Sequence, residues 1–150
     1  MKKAEIKNVV DALKKANVSS FGDKELKNIL VKNFLTLSKK LREYQSEIED
    51  TTALFLSKYD KEQQEVSRLE IEMNGAKDGK DKLFFAEKLK SEHGEYLKAV
   101  KECNDKIRAF GEELVEIIPV DEDKFIEEYQ NIDGFDLGVV GALVPLFKNK

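Results

Sequence analysis

The chain holds one cysteine, one histidine, two prolines and no tryptophan. A lone cysteine excludes an internal disulfide and any zinc site built from several thiolates, and it suits a reducing compartment. Two prolines and eight glycines in 150 residues leave long stretches free of helix breakers. Lys2 and Lys3 open the chain, but no apolar core of signal-peptide length follows them. No stretch approaches the roughly 18 to 20 apolar residues that span a bilayer. These absences predict a soluble, cytoplasmic protein without a membrane partner.

What is present is a mixture of 41% hydrophobic and 37% charged residues, which suits long exposed helices better than a thick globular core. Its order is more telling than its proportions. Ala86, Leu89, His93, Tyr96, Val100, Cys103, Ile107, Phe110 and Leu114 recur at alternating three- and four-residue steps. This is the a/d seam of a coiled coil. A second seam runs through Leu30, Phe34, Leu37, Leu41, Tyr44, Ile48, Thr51 and Phe55, slips to Tyr59, and resumes at Val66, Leu69 and Met73. The slip predicts a break or a local change of supercoil.

Two seams joined by a turn over 74–79 predict an antiparallel hairpin. Its helices should run from about Lys24 to Met73 and from about Asp81 to Leu114. Ile6, Val9, Val10 and Leu13 predict a short amphipathic helix over 3–16, and Asp23 and Asp121 are natural N-caps for the helices that follow them. Residues 113–120 are rich in β-branched types and read as a strand whose backbone needs a partner. Only residues 17–21, or a second subunit, look able to supply one.

The apolar run from Leu137 to Phe147 must dock on the body or on another molecule. Taken together, the expected fold is all-α with a minor β element: a long antiparallel coiled-coil helical hairpin, a short N-terminal helix and an apolar C-terminal tail. Residues 1–150 should form one domain, with 121–150 as a docking and oligomerisation segment. The expected interface between subunits is Leu137, Val140, Leu143, Leu146 and Phe147.

Charge is placed unevenly. Residues 1–42 carry 11 basic and 4 acidic side chains, and the remainder 15 and 26. This asymmetry favours self-association or an anionic ligand near the basic end. Lys32, Lys39, Lys40 and Arg42 are the candidate ligand-binding residues. A specific nucleic-acid partner is not expected, since arginine is scarce and no binding motif is present.

Nothing in the sequence assembles a catalytic site. His93 faces the seam near Glu62 or its neighbours, with no nucleophile in view. Cys103, between Val100 and Ile107, reads as a small core hydrophobe. The acids around 121–123 and 131–134 lack the oxygen ligands that a calcium loop requires at its ends. No cofactor, no metal and no enzymatic activity are expected.

Leu30 to Tyr44, Glu113 to Val120 and Phe135 to Phe147 follow one another in an order similar to that of small bacteriophage and prophage helical-hairpin proteins of unknown function. The entry to the long helix departs from theirs, with Val18-Ser19-Ser20 where such proteins often carry Leu-Pro-Val. The resemblance transfers no functional residues. It implies a mobile-element protein working in the cytoplasm of a bacterial host. The expected function is a non-enzymatic, self-associating protein that sequesters or blocks an anionic nucleotide signal or a host defence factor. The alternative is an assembly scaffold, chaperone or minor virion protein.

Overall fold

A computed structural model describes residues 1–148 of the chain. The protein is all-α. Its helices are α1 (Ile6–Lys15), α2 (Lys24–Gly75), α3 (Gly79–Glu92), α4 (Gly94–Glu112), α5 (Glu122–Tyr129) and α6 (Leu137–Ala142), with single 3-10 turns at Lys3–Glu5, Val18–Ser20 and Val144–Leu146. The chain divides into two compact units, one formed by Met1–Ser46 with Phe110–Lys150 and the other by Glu47–Ala109.

The first unit contains the main core. Ile6, Val9, Val10 and Leu13 bury one face of α1, and Leu26, Leu30 and Leu37 bury one face of α2. Between these helices Asn17 adopts a left-handed conformation (φ 51°) that lets the chain reverse. Asp23 then caps α2, its Oδ1 accepting from the Leu26 amide at 3.0 Å. Asp121 caps α5 in the same way through the Lys124 amide at 3.1 Å. The caps stand where the sequence predicts them.

Phe125 and Tyr129 on α5 are buried, and the Phe125 ring lies 5.6 Å from Phe21, 5.4 Å from Tyr129 and 5.6 Å from Phe147. Gly111, near the end of α4, sits where a Cβ would come within 3.0 Å of the Tyr44 hydroxyl and 3.2 Å of Ala4 Cβ. A larger residue there would make the Tyr44 hydroxyl and Ala4 give way by a few tenths of an ångström.

Residues 113–120 are extended but form no strand, and this corrects the expected β element. The segment is paired at its two ends only, by an antiparallel bridge of Leu114 to Lys2 and a parallel bridge of Val120 to Phe147. The Val115 amide donates to Met1 O at 2.8 Å, and the Val120 amide to Leu146 O at 2.8 Å. In between, the buried Asn33 does the work of a neighbouring strand. Its Nδ2 donates to Ile118 O at 2.8 Å and its Oδ1 accepts from Ile118 N at 2.9 Å. The partners are therefore the two ends of the chain and one side chain of α2, not residues 17–21. The ladder cannot lengthen, since Pro119 has no N–H to give it.

In the second unit, residues 47–75 of α2 pair with α3 and α4. Val66, Leu69, Leu89 and Tyr96 are buried, and Phe55, Tyr59, Met73, Phe85, Leu97 and Val100 pack half-buried around them. α2 is continuous over 52 residues apart from Tyr59, whose φ −127° and ψ 17° are not helical. The break falls on the heptad slip. The returning helix is also broken, contrary to the continuous helix expected over 81–114. α3 stops at His93 (φ −124°, ψ 23°) and α4 starts at Gly94. The signal was Gly94, a residue that weakens helix interiors. Ala86, the first residue of the expected seam, is exposed.

Candidate functional site

The basic residues singled out by the sequence lie on the part of α2 that belongs to the first unit. Lys32, Lys39 and Arg42 are exposed, and Lys40 is half-buried with its Nζ 3.3 Å from Glu43. Among the described residues Lys32, Lys39 and Arg42 make no ion pair. Their spacing strings them along one face of the helix over nearly three turns instead of converging them on one point, so they do not form a closed anion pocket.

What the sequence reading missed is the apolar surface they surround. Val31 and Leu35 are large aliphatic residues one turn apart, 43% and 62% exposed. Beside them is a pocket of about 150 Å³ lined by Leu13 and Lys14 of α1, by Val18, and by Leu30, Val31 and Phe34 of α2. Its wall is almost wholly hydrocarbon, and Lys14 is its one charged residue. The helical neighbours of Leu35, three and four positions away, are Val31, Lys32, Ser38 and Lys39. Those of Val31 are Lys27, Asn28, Phe34 and Leu35, with Lys27 Nζ donating to Ser19 O at 3.0 Å. No carboxylate is among them. A signal was available: Val31 and Leu35 are apolar yet lie outside the heptad seam of Leu30, Phe34 and Leu37.

A larger cleft, of about 520 Å³, separates α1 from α6 and is lined by Glu5, Asn8, Asp11, Lys15, Asp136 and Gly138 among others. Its carboxylates already have work. Glu5 accepts from the Lys2 amide at 2.9 Å, Asp11 lies 3.5 Å from Lys7 Nζ, and Asp136 caps α6 through the Gly138 amide at 2.7 Å. A predominantly acidic wall does not suit the anionic ligand expected from the sequence.

The expected subunit-interface residues are largely used within the first unit. Leu143 and Leu146 are fully buried, at 0% exposure, and pack in the main core with Val139. Val140 and Phe147 are half-buried against that core, and Leu137 is 73% exposed. The argument that the tail needs a second subunit to cover it therefore loses its premise. Asn149 and Lys150, the last two positions of the 121–150 segment, lie outside the described residues.

His93 is buried in the second unit, with Nδ1 3.0 Å from Glu62 Oε1, within the stretch that the heptad count placed opposite it. Tyr59, Tyr96 and Phe55 gather nearby, the Tyr59 and Tyr96 rings 5.9 Å apart and the Phe55 and Tyr96 rings 5.7 Å apart. Burial pushes the Tyr96 phenol above its ordinary range, and the Glu70 and Glu62 carboxylates add to this. Cys103 is free and half-buried.

Among the described residues no group of three or more metal-ligating side chains is gathered. No helix among them is long and apolar enough to cross a membrane. No protein-family model, curated protein or solved structure matches the chain.

Proposed function

We propose that this chain is a non-enzymatic binding protein that takes an anionic partner on the basic face of α2 and thereby sequesters or blocks it. The observation that carries the reading is the surface around Val31 and Leu35. Lys32, Lys39 and Arg42, which make no ion pair among the described residues, lie beside exposed hydrocarbon and an open apolar pocket. Lysines left unpaired next to exposed apolar surface cost little when free and contribute attraction and on-rate to an oppositely charged partner. In the setting that the likeness to small phage proteins implies, the partner would be a component of the bacterial host.

The test is co-purification of the full chain from its native cells, followed by mass spectrometry of the proteins and small molecules retained. The Lys32→Glu/Lys39→Glu/Arg42→Glu variant serves as the control. An acidic species retained by the parent and lost by the variant is the expected result. Identical retention by both removes α2 from the site.

The second unit favours a further reading, that of an assembly scaffold. Read as an antiparallel helical hairpin, it exposes Leu54 at 72%, Ile71 at 73%, and Leu83 and Phe84 at 61% each. Apolar side chains left in water along a helical pair are contacts available to another protein. Self-association would use such residues, or Leu137, more readily than the buried Leu143 and Leu146. Light scattering after size exclusion, on the full chain and on the Leu83→Gln/Phe84→Gln variant, separates the readings. An assembly that dissociates in the variant supports the scaffold.

A further inference from the structure

The same face of α2 also specifies what kind of anion it would take, an inference that rests on the binding reading above. We infer that the partner is an acidic peptide segment of a protein, which seats one large apolar side chain in the pocket of Leu13, Val18, Leu30 and Phe34 and lays its carboxylates over Lys14, Lys32 and Lys39. Three observations lead there.

The first is size. The pocket holds about 150 Å³. Sites for whole small ligands span roughly 300 to 1,000 Å³, whereas an apolar cavity of roughly 150 Å³ is enough for a benzene-sized group. The pocket is matched to one leucine or phenylalanine side chain.

The second is chemistry. Five of its six lining residues are apolar, Lys14 being the exception. A nucleotide needs donors for its phosphates and base edges. This wall offers none besides the Lys14 ammonium, so a mononucleotide would place its polar groups against hydrocarbon.

The third is the arrangement of charge around the apolar surface. Lys32 and Lys39 flank Leu35 one turn to either side, and Arg42 continues the face two turns beyond it. Val31 and Leu35 extend the hydrocarbon out of the pocket for more than a helical turn. A bound segment would therefore meet apolar contacts along its middle and cations at its edges. This is the imprint of an amphipathic acidic peptide. A basic or neutral peptide would bring like charge, or none, to the same lysines.

The experiment is selection of a displayed library of random peptides on the immobilised full-length protein, followed by fluorescence anisotropy of the enriched peptides. Enrichment of Asp and Glu around paired large apolar residues is expected. The Val31→Gln/Leu35→Gln variant removes exposed hydrocarbon without changing charge, and should weaken the enriched peptides at least tenfold. Lys32→Glu/Lys39→Glu should weaken them by a similar factor, more at low salt than at high.

Enrichment of basic or uncharged peptides, or of none, overturns the inference. If charge reversal abolishes binding while Val31→Gln/Leu35→Gln leaves it unchanged, the apolar seat is wrong and the basic-face reading survives. A competition arm with ATP completes the test. Displacement of the peptides at micromolar nucleotide would assign the face to a nucleotide instead and also overturn the peptide proposal.

Discussion

In the first unit, elements from distant parts of the sequence converge, so residues such as Ile6, Leu37, Val120, Phe125 and Leu143 are all at 0% exposure. In the second unit residues of α2, α3 and α4 share a smaller core, and its most buried residues, Val66 at 3% and Leu69 at 4%, are surrounded by half-exposed neighbours. The difference is the number of layers. A helix in a pair has one neighbour and can bury one stripe, whereas α1 packs on α6 and shares one core cluster with residues of α2, α5 and the tail. Stability should therefore concentrate in the first unit, leaving the second dependent on a few contacts near Tyr59 and His93.

Phe125→Ala should have the largest effect. Removing a fully buried ring that touches Phe21, Tyr129 and Phe147 should cost about 3 to 5 kcal/mol in denaturant unfolding. Leu69→Ala in the second unit should cost less, about 2 to 3 kcal/mol, because the two arms can relax into the gap. Equal losses would break the comparison.

Asn33→Leu comes next. It leaves the N–H and C=O of Ile118 without their partners, and a drop of about 2 kcal/mol is expected. Hydrogen exchange at residues 113–120 should rise with it, while exchange in α3 stays unchanged.

The smallest effect concerns pH. The folded Tyr96 phenol holds its proton beyond the ordinary value of 10.0, so the unfolded state ionises first. This group leaves stability unchanged below pH 10 and lowers it as pH rises through and beyond that value. Thermal melts of the parent should fall more steeply above pH 10 than those of Tyr96→Phe, which has no phenol to ionise. Parallel curves would show that the burial of Tyr96 is not felt by the hairpin arms.

Much of this fold was legible because local rules decided it. Asp23 and Asp121 cap helices whatever lies around them. The heptad slip at Phe55 and Tyr59 marks a break that is a property of the helix itself, and His93 found Glu62 because pairing of two seams fixes which levels meet. The break at Gly94 was a local signal passed over, whereas the misplaced partners of 113–120 have another cause, which is tertiary partners remote in sequence. Val115, Ile118 and Val120 look like strand residues, yet what satisfies them is Met1, Asn33 and Leu146. No periodicity in 113–120 announces these.

The tail was expected to dock on the body or on another molecule, and its burial within the first unit was hidden for the same reason. Leu143 and Leu146 looked too apolar for one chain because the core that α1 and α5 would build could not be counted in advance. At the candidate site the lysines were legible as charge. The pocket was not, since it needs Leu13 and Val18 brought against α2.

The stitching of both chain ends onto residues 114–120 has a consequence for synthesis. α1 packs on α6, and Ile6 leaves the ribosome about 140 residues before Leu146. At about 5 to 20 residues per second, translation would separate them by roughly 7 to 28 seconds. During that interval the face of α1 destined for the tail has no mate in the nascent chain, while the long helix and its returning arm can already pair. The less layered part of the protein would thus be finished first, and the better packed part would close only once Leu146 has emerged.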